Sequence, residues 1–158
     1  MNKIIFGLGN PGKEYERTRH NLGLNVVRAW GLQTEVRSNV KIVAPTQQMN
    51  VSGNVLQDAL KFTDIEMNNI LIAHDDIELP LGEVQLVLGG SAKGHNGIRS
   101  IYDVLGTQDI QRLRLGIGRP PEGMEVKDFV LGKFTTTELS ELEAQQESAN
   151  TLINDFVN

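Results

Sequence analysis

An apolar run near the start of the chain leads directly into a glycine-rich loop. Residues 3–6 form the run, and the loop extends through Gly12. A buried strand that ends in such a loop brings backbone to the carboxyl edge of a sheet, where open α/β folds bind their ligands. The loop also carries the carboxamide of Asn10, and a charged stretch then leads to His20. This segment therefore predicts an α/β fold with a site at that edge.

The glycine spacing suggests two nucleotide-binding interpretations, and the residues disfavour both. Gly7-x-Gly9-x-x-Gly12 matches the dinucleotide fingerprint, but Pro11 removes a backbone N–H from a loop that would have to donate such groups. A P-loop needs a hydroxyl at position 14, where the carboxylate of Glu14 would repel phosphate. Glycines that serve only a tight turn are the better interpretation.

The composition is that of one ordinary domain. A chain of 158 residues buries roughly 70% of its unfolded surface, so we expect residues 1–158 to form a single domain. The absence of cysteine excludes disulfides, thiolate nucleophiles and Cys-ligated zinc. No N-terminal apolar run reaches the length of a signal peptide, and none approaches a membrane span. These features predict a cytoplasmic protein without a membrane partner.

The charges are unevenly distributed along the chain. A net charge of −5 and a pI near 5.2 argue, as totals, against a nucleic-acid partner. However, residues 138–155 contain five acids and no Lys or Arg, whereas five basic residues lie between Lys93 and Arg119. A basic face on an acidic protein is therefore compatible with the sequence.

Hydrophobic periodicity predicts alternating strands and helices. The predicted strands are 3–6, 40–44, 70–73, 84–88 and 112–117. Helices are predicted to begin near Asn21, after Asn50 and after the loop 89–97. The unbroken run 70–73 is typical of a strand covered on both faces of a parallel sheet. A capping box, Thr135-x-x-Glu138, precedes a final helix whose apolar stripe, from Leu139 to Phe156, predicts core packing.

Candidate site residues fall in the predicted loops and at strand ends. All three histidines adjoin Asn or Asp, as His20-Asn21, His74-Asp75 and His95-Asn96. Asn10 and Asn50 are also predicted to follow strands directly, so parallel strands would gather several of these side chains at one edge. Neutral amides suit an uncharged polar substrate such as an ester or peptide unit. The alternative is that each Asn only caps a helix or stabilises a turn.

Water is the nucleophile that the residues favour. Cysteine is absent, and Ser52 lacks the Gly-x-Ser-x-Gly context of an activated serine. A water needs a base; His20 titrates near neutrality, and Asp75 would hold its tautomer. A metal site on residues 74–76 and Glu78 is the rival interpretation. Three consecutive ligands without HExxH-type spacing disfavour it.

Five linked blocks resemble the bacterial peptidyl-tRNA hydrolases. They are Gly7-Leu-Gly-Asn-Pro-Gly12, residues 15–21 with Thr18-Arg19-His20-Asn21, Met49-Asn50-x-Ser52-Gly53, His74-Asp75-Asp76 before Leu79-Pro80, and Gly94-His95-Asn96-Gly97. The resemblance implies an α/β/α fold around a twisted mixed, mainly parallel sheet. It also implies a monomer, without metal or cofactor, that hydrolyses the ester between a peptide and the 3′ ribose of tRNA. Such an enzyme recycles tRNA from aborted translation.

By matched position, the resemblance also implies roles for single residues. His20 would be the base that activates water, and Asp75 its orienting partner. His95 and Asn21 would support them. The substrate-binding residues would be Asn10, Tyr15, Asn50 and Asn96.

The tRNA-binding residues are less directly implied. Relatives often place a Lys on the strand before the second glycine loop, where this chain has Val87. We therefore expect Lys93, in the loop itself, to supply the missing charge. Arg114 is the other candidate, and the sequence leaves open whether the acceptor stem contacts the face with Arg112 and Arg114 or only the Lys93 loop.

Two other functions remain to be compared with hydrolysis by a metal-free base. A non-catalytic RNA-binding protein on the same fold would keep a basic face but would not need His20, Asp75 and Asn96, all of which are present. A metal-dependent hydrolase would lose activity on chelation.

Overall fold

A five-stranded sheet forms the centre of the fold. In the computed structural model, which describes residues 2–158, the strands are β1 (Lys3–Gly7), β2 (Val40–Val43), β3 (Ile70–Asp76), β4 (Val84–Leu88) and β5 (Gln111–Gly116). Their order across the sheet is β2-β1-β3-β5-β4. The first four strands in this order are parallel, and β4 pairs antiparallel with β5 at one edge. The predicted mixed, mainly parallel sheet is confirmed.

Helices cover both faces of the sheet. They are α1 (Leu22–Gln33), α2 (Ser52–Leu60), α3 (Asn96–Leu105), α4 (Val126–Leu131) and α5 (Leu139–Val157). One core cluster joins α1, α4 and α5 to one face, and a second joins α2 and α3 to the other. This arrangement gives the three-layer α/β/α fold that the resemblance implied.

Strand β3 is the central strand and extends further than its apolar run predicts. Ile70 to Ala73 are almost completely buried, as expected for a strand covered on both faces. The strand continues through Asp76 because β5 pairs with it up to the Asp76–Gly116 position. His74 and Asp75 therefore lie within the sheet and not in a loop after it.

Three local expectations can be compared with the structure. The capping box formed by Thr135 and Glu138 is present before α5 and is confirmed. The expectation that Leu139 begins the buried stripe of that helix is wrong: Leu139 is 52% exposed, and Gln145 is buried instead. Asn50 does not directly follow a strand either, since a loop separates it from β2 and it lies in the short 3₁₀ turn Met49–Val51.

Glycines allow α1 to begin against the sheet backbone. A Cβ on Gly7 would lie 2.5 Å from the carbonyl oxygen of Gly23, and a Cβ on Gly23 would lie 2.2 Å from that of Ala73. Backbone N–H groups of Leu24 and Leu8 donate to Leu8 and Ala73 across this crossing. The close approach places the segment before α1, which contains His20, beside the end of β3.

We expect Gly23→Ala to destabilise the protein by about 1–3 kcal/mol, because the new methyl group would overlap rigid backbone. Urea unfolding at equilibrium measures the loss. Gly31→Ala, in the same helix, is the matched control, since its Cβ would meet only the flexible end of Ile42 at 2.9 Å. Equal unfolding midpoints for the two variants would show that the crossing tolerates a side chain.

Candidate active site

A buried carboxylate, Asp75, lies at the centre of the candidate site. The Nδ1 atom of His20 is 2.9 Å from Oδ2 and 3.0 Å from Oδ1 of Asp75. The Asp75 side chain is 2% exposed and that of His20 is 12% exposed. Because the charged carboxylate accepts from Nδ1–H, the Nε2 atom of His20 carries the lone pair, and among residues 2–158 no group bonds to it. The His20 and Asp75 side chains that the sequence predicted to pair are therefore in hydrogen-bonding contact.

A second imidazole bonds to the same carboxylate. The Nε2 atom of His95 is 2.9 Å from Oδ1 of Asp75, and the rings of His20 and His95 have centroids 4.9 Å apart. The Nδ1 atom of His95 accepts from the backbone N–H of Ile98 at 3.3 Å. This bond, at the start of α3, leaves the proton of His95 on Nε2, where it donates to Asp75.

Mutual contacts set the ionisation of this group. Burial alone would raise the pKa of Asp75, but electrostatic attraction to the His20 and His95 rings and their hydrogen bonds outweigh it and lower that pKa well below its usual range. Burial alone would lower the pKa of His20, but the charge of Asp75 and its hydrogen bond raise it above the ordinary value of 6.5. Asp75 is therefore a carboxylate at neutral pH, and it stabilises an imidazolium at His20.

The remaining histidine, His74, is held neutral inside the sheet. Its Nδ1–H donates to the carbonyl of Asp75 at 2.9 Å, and its Nε2 accepts from Nη1 of Arg112 at 3.1 Å. Burial first, then the electrostatic effect of the neighbouring His95 and the positive charge of Arg112, lower the pKa of His74 to about 3. Both nitrogens are occupied, so His74 is not available as the metal ligand that the rival interpretation required.

The metal site of the rival interpretation, on residues 74–76 and Glu78, does not assemble. Asp76 forms an ion pair with Arg114, with Nε and Oδ2 2.7 Å apart, and Glu78 pairs with Arg119. Within the described part of the chain, the cluster whose ligand atoms lie within 4.8 Å of one another is His20, Asp75 and His95. Any metal at this site would use a different set of residues from the one the sequence suggested.

Asn10 is fixed at the end of the β1 loop by two neighbours. Its backbone N–H donates to Oδ1 of Asn21 at 2.8 Å, and Nδ2 of Asn21 donates back to its carbonyl at 3.0 Å. The Oδ1 atom of Asn10 accepts from the backbone N–H of Met49 at 2.7 Å. The Nδ2 group makes no bond to any residue from 2 to 158, which leaves it to donate to a ligand.

These side chains line one cavity of about 850 Å³. The cavity is bounded by the loop after β1, the end of β3, side chains of β4 and β5, the loop 89–97 and α4. Its polar lining includes Asn10, His20, Asp75, Asn50 and Asn96, and its apolar lining includes Val87, Val126, Val130 and Leu131. Tyr15 lies outside this lining, in the 3₁₀ turn Lys13–Tyr15, where its carbonyl accepts from the hydroxyl of Thr18 at 2.8 Å.

The two residues predicted to bind tRNA also line the cavity, in different states. Lys93 is exposed in the loop and has a positive φ of 47°, a conformation that favours glycine. Arg114 is half-buried and is bonded to Asp76 and, at 3.1 Å, to Gln85. Lys93 therefore offers the more accessible charge, and much of the charge of Arg114 is already paired.

Sequence reasoning missed several residues of this site. Arg112 was read as part of a basic face, but its side chain is buried and donates through Nε and Nη2 to the carbonyl of Gly89 at 2.9 and 2.6 Å. The apolar run 126–131, which forms α4, was not predicted to line the site. The Gly94-His95-Asn96-Gly97 block had indicated His95 as a supporting residue, but nothing local to Arg112 or α4 places them at the cavity.

A model of the family described as peptidyl-tRNA hydrolase matches residues 4–158. The chain belongs to the peptidyl-tRNA hydrolase family. Its relatives include the peptidyl-tRNA hydrolase of Bacillus subtilis (strain 168), which is 40% identical over 157 residues, covering 89% of this chain and 84% of the relative. The Bacillus cytotoxicus peptidyl-tRNA hydrolase is 36% identical over 173 residues, covering 99% and 93%.

Solved structures of peptidyl-tRNA hydrolases have the same fold. The enzyme from Acinetobacter baumannii matches with a TM-score of 0.89 at 33% identity, covering 99% of this chain and 88% of that one. A complex of a peptidyl-tRNA hydrolase with N-propanol gives a TM-score of 0.90 over the same shares. The [NiFe] hydrogenase maturation protease HybD of Thermococcus kodakarensis, at 15% identity and a TM-score of 0.57, shares the fold alone. None of the helices within residues 2–158 combines the length and apolarity needed to span a membrane.

We expect the imidazole of His20 in this peptidyl-tRNA hydrolase relative to titrate above pH 6.5 and that of His74 to stay neutral down to about pH 4. NMR titration of labelled histidines measures both. In Asp75→Asn the negative charge that stabilises the imidazolium is gone, so the pKa of His20 should fall below 6.5. An unchanged His20 pKa in that variant would contradict the electrostatic role of Asp75.

Proposed function

We propose that this chain hydrolyses the ester between the peptide and the 3′ ribose of peptidyl-tRNA, using a water activated by His20. The observation that carries the proposal is the 2.9 Å contact between His20 Nδ1 and Asp75, which presents the lone pair of Nε2 at the cavity. Membership of the peptidyl-tRNA hydrolase family supports the choice of substrate.

The proposed reaction balances with one water and one base. Nε2 of His20 takes a proton from the water as its oxygen bonds to the ester carbonyl carbon. Asp75 stabilises the imidazolium that forms. As the tetrahedral intermediate collapses, the bond to the 3′ oxygen of the ribose breaks, and the imidazolium returns its proton to that oxygen. The products are a peptide carboxylic acid and tRNA with a free 3′ hydroxyl.

Amide groups are proposed to hold the substrate. Asn10 lines the cavity, and its Oδ1 accepts from the backbone N–H of Met49. Its Nδ2 group bonds to no residue from 2 to 158 and is therefore able to donate to a ligand. Asn50 and Asn96 are exposed at the cavity, so their amides are accessible to peptide carbonyls or to the attacking water. A donor aimed at the developing oxyanion contributes strongly to ester hydrolysis. Tyr15, outside the cavity lining, is proposed to contact only the parts of the substrate that extend beyond it.

The hydrogen bonds of the site favour chemistry without a metal. To bind a cation through Nε2, His95 would have to carry its proton on Nδ1, where the N–H of Ile98 already points. His20 could coordinate a cation through its free Nε2, but the cation would then take the lone pair that activates water. The tautomer of His95 thus opposes coordination, a cation on His20 would remove the base, and we propose a metal-independent enzyme.

We expect His20→Ala to reduce hydrolysis of N-blocked aminoacyl-tRNA by about 10²–10⁴-fold, because the base is removed. The release of free tRNA measures the rate, with and without EDTA. Wild-type activity should be the same in both conditions. Loss of activity in EDTA, restored by added metal, would favour the metal-dependent alternative.

The matched control is Glu16→Ala, an exposed position in the same segment and outside the cavity lining. It should retain wild-type turnover, and circular dichroism should show both variants folded. Near wild-type turnover by a folded His20→Ala protein would remove His20 from the mechanism. If His20→Ala and the wild type bind tRNA equally and neither hydrolyses it, the non-catalytic RNA-binding function is supported instead.

For tRNA, we propose that Lys93 provides a free positive charge at the cavity mouth. Val87 lines the same cavity without a charge, and Arg114 is bonded to Asp76 and Gln85. A lysine held in the left-handed region, where its backbone is strained, is consistent with a role for its side chain. We further propose that the protein acts as a monomer in the cytoplasm, where translation produces its substrate and tRNA is recycled.

We expect Lys93→Asn to weaken tRNA binding and to reduce the slope of log affinity against log salt concentration by about 1. Asparagine tolerates the left-handed conformation, so this variant removes the charge and preserves the loop. Filter binding at several salt concentrations measures the slope. Lys61→Asn is the control, because Lys61 lies at the end of α2, away from the cavity, and is already paired with Asp58. Equal slopes for the two variants would exclude Lys93 from the interface.

A further inference from the structure

Arg19 is a largely buried cation next to His20 that the proposed reaction does not use. Its side chain is only 11% exposed. Its guanidinium carbon lies 4.3 Å from the centroid of the Phe129 ring and 5.4 Å from that of Phe134. Burying a permanent charge is costly unless it is paired, so the partners of this guanidinium indicate what it stabilises.

The guanidinium bonds to two structural elements, α4 and the capping box before α5. Its Nη1 donates to the carbonyl of Phe129, inside α4, at 3.3 Å. Its Nη2 is 3.1 Å from Oε1 of Glu138, which also accepts from the backbone N–H of Thr135 at 2.8 Å in the capping box before α5. The Nε atom is buried without a partner among residues 2–158. A buried N–H without a partner is energetically costly, so the contacts of the guanidinium with both elements have to offset that cost.

Backbone bonds attach the same segment to the chain just after α4. The N–H of Arg19 donates to the carbonyl of Gly132 at 3.0 Å, and Thr18 forms an isolated bridge with Lys133. These bonds reach only the residues that follow α4. The side chain of Arg19, through the ring and carbonyl of Phe129, is therefore the group that joins the segment of His20 to the helix itself.

Helix α4 packs against the core through only two buried side chains, Phe129 and Val130. It has six residues, fewer than an isolated helix needs for stability. A segment with Pro120, Pro121 and Gly123 precedes it, and Gly132 follows it. Its side chains Val126, Lys127, Val130 and Leu131 nevertheless form one wall of the cavity. The position of that wall relative to His20 decides which substrates fit between them.

We propose that Arg19 is a positioning residue that holds α4 at a fixed distance from His20 and so sets the width of the substrate cavity. Arginine suits this position because its planar fork stacks on an aromatic ring while donating to two acceptors; lysine keeps the charge but cannot do both. The His20–Asp75 pair does not include Arg19, so loss of the anchor should alter substrate binding and leave proton transfer unchanged. This inference rests on the proposed function only for its kinetic readout.

The test uses Arg19→Met, Arg19→Lys and Glu138→Gln in the full chain. Glutamine is accepted at the third position of a capping box, so Glu138→Gln removes the ion pair and keeps the cap. Arg19→Met should raise KM for N-blocked aminoacyl-tRNA by about 10–100-fold, the range for loss of a charge-assisted bond. Its kcat and the acid limb of its pH profile should stay near wild type. Arg19→Lys and Glu138→Gln should give smaller increases in KM.

Hydrogen exchange provides a readout that does not depend on catalysis. Amides of residues 126–131 should exchange faster in all three variants, while those of β3 stay protected. If exchange in α4 and KM are both unchanged, the proposal is overturned. It is also overturned if kcat falls, the acid limb shifts and α4 exchange is unchanged, because Arg19 would then act on His20. If Arg19→Met does not fold, the other two variants decide by the same measurements, and inactivity of the wild type would bear only on the proposed function.

Discussion

A carboxylate removed from water must be paired, and that requirement organises this molecule around Asp75. The carboxylate lies in the central strand, almost completely buried, and two imidazoles donate to it. Each imidazole comes from a different segment: His20 precedes α1, and His95 precedes α3. An uncompensated charge at this depth would cost several kcal/mol or more. The fold therefore has to bring both segments to the end of β3, and the polar site follows from that constraint.

The surrounding structure controls which protons these groups carry. The Ile98 N–H fixes the tautomer of His95, and Arg112 together with the Asp75 carbonyl fixes that of His74. With the tautomers of those two histidines assigned, His20 is the histidine whose Nε2 lone pair faces the cavity without a partner among residues 2–158. Asp75 also raises the pKa of His20, which suits the base of the proposed mechanism, because that base must hold a proton briefly. The protonation of the site is thus set by residues from several separate elements.

The residues that line the cavity are anchored in two different ways. Asn10, His20 and Asp75 are supported by the sheet and by the glycine crossing of β1 and α1. Another wall is the short helix α4, which packs against the core through Phe129 and Val130. Arg19 spans the two, since it adjoins His20 in sequence and contacts Phe129 in space. Lys93 belongs to neither of these walls, because it extends from the glycine-rich loop 89–97. This loop lets an acidic protein present a positive charge at the mouth of its cavity.

The sequence alone determined the alternation of strands and helices, the α/β class, the family and the His20–Asp75 pair. Those features follow from periodicity and from short motifs, which are local in the chain. It did not determine that β3 runs through Asp76, that Leu139 is exposed and Gln145 buried in α5, or that Asn50 lies in a turn before α2. Nor could it reveal the second donor to Asp75, the bond from Arg112 to His74, or the contact of Arg19 with α4. Each of these joins residues from separate elements, and only the packing of helices against the two faces of the sheet brings those elements together.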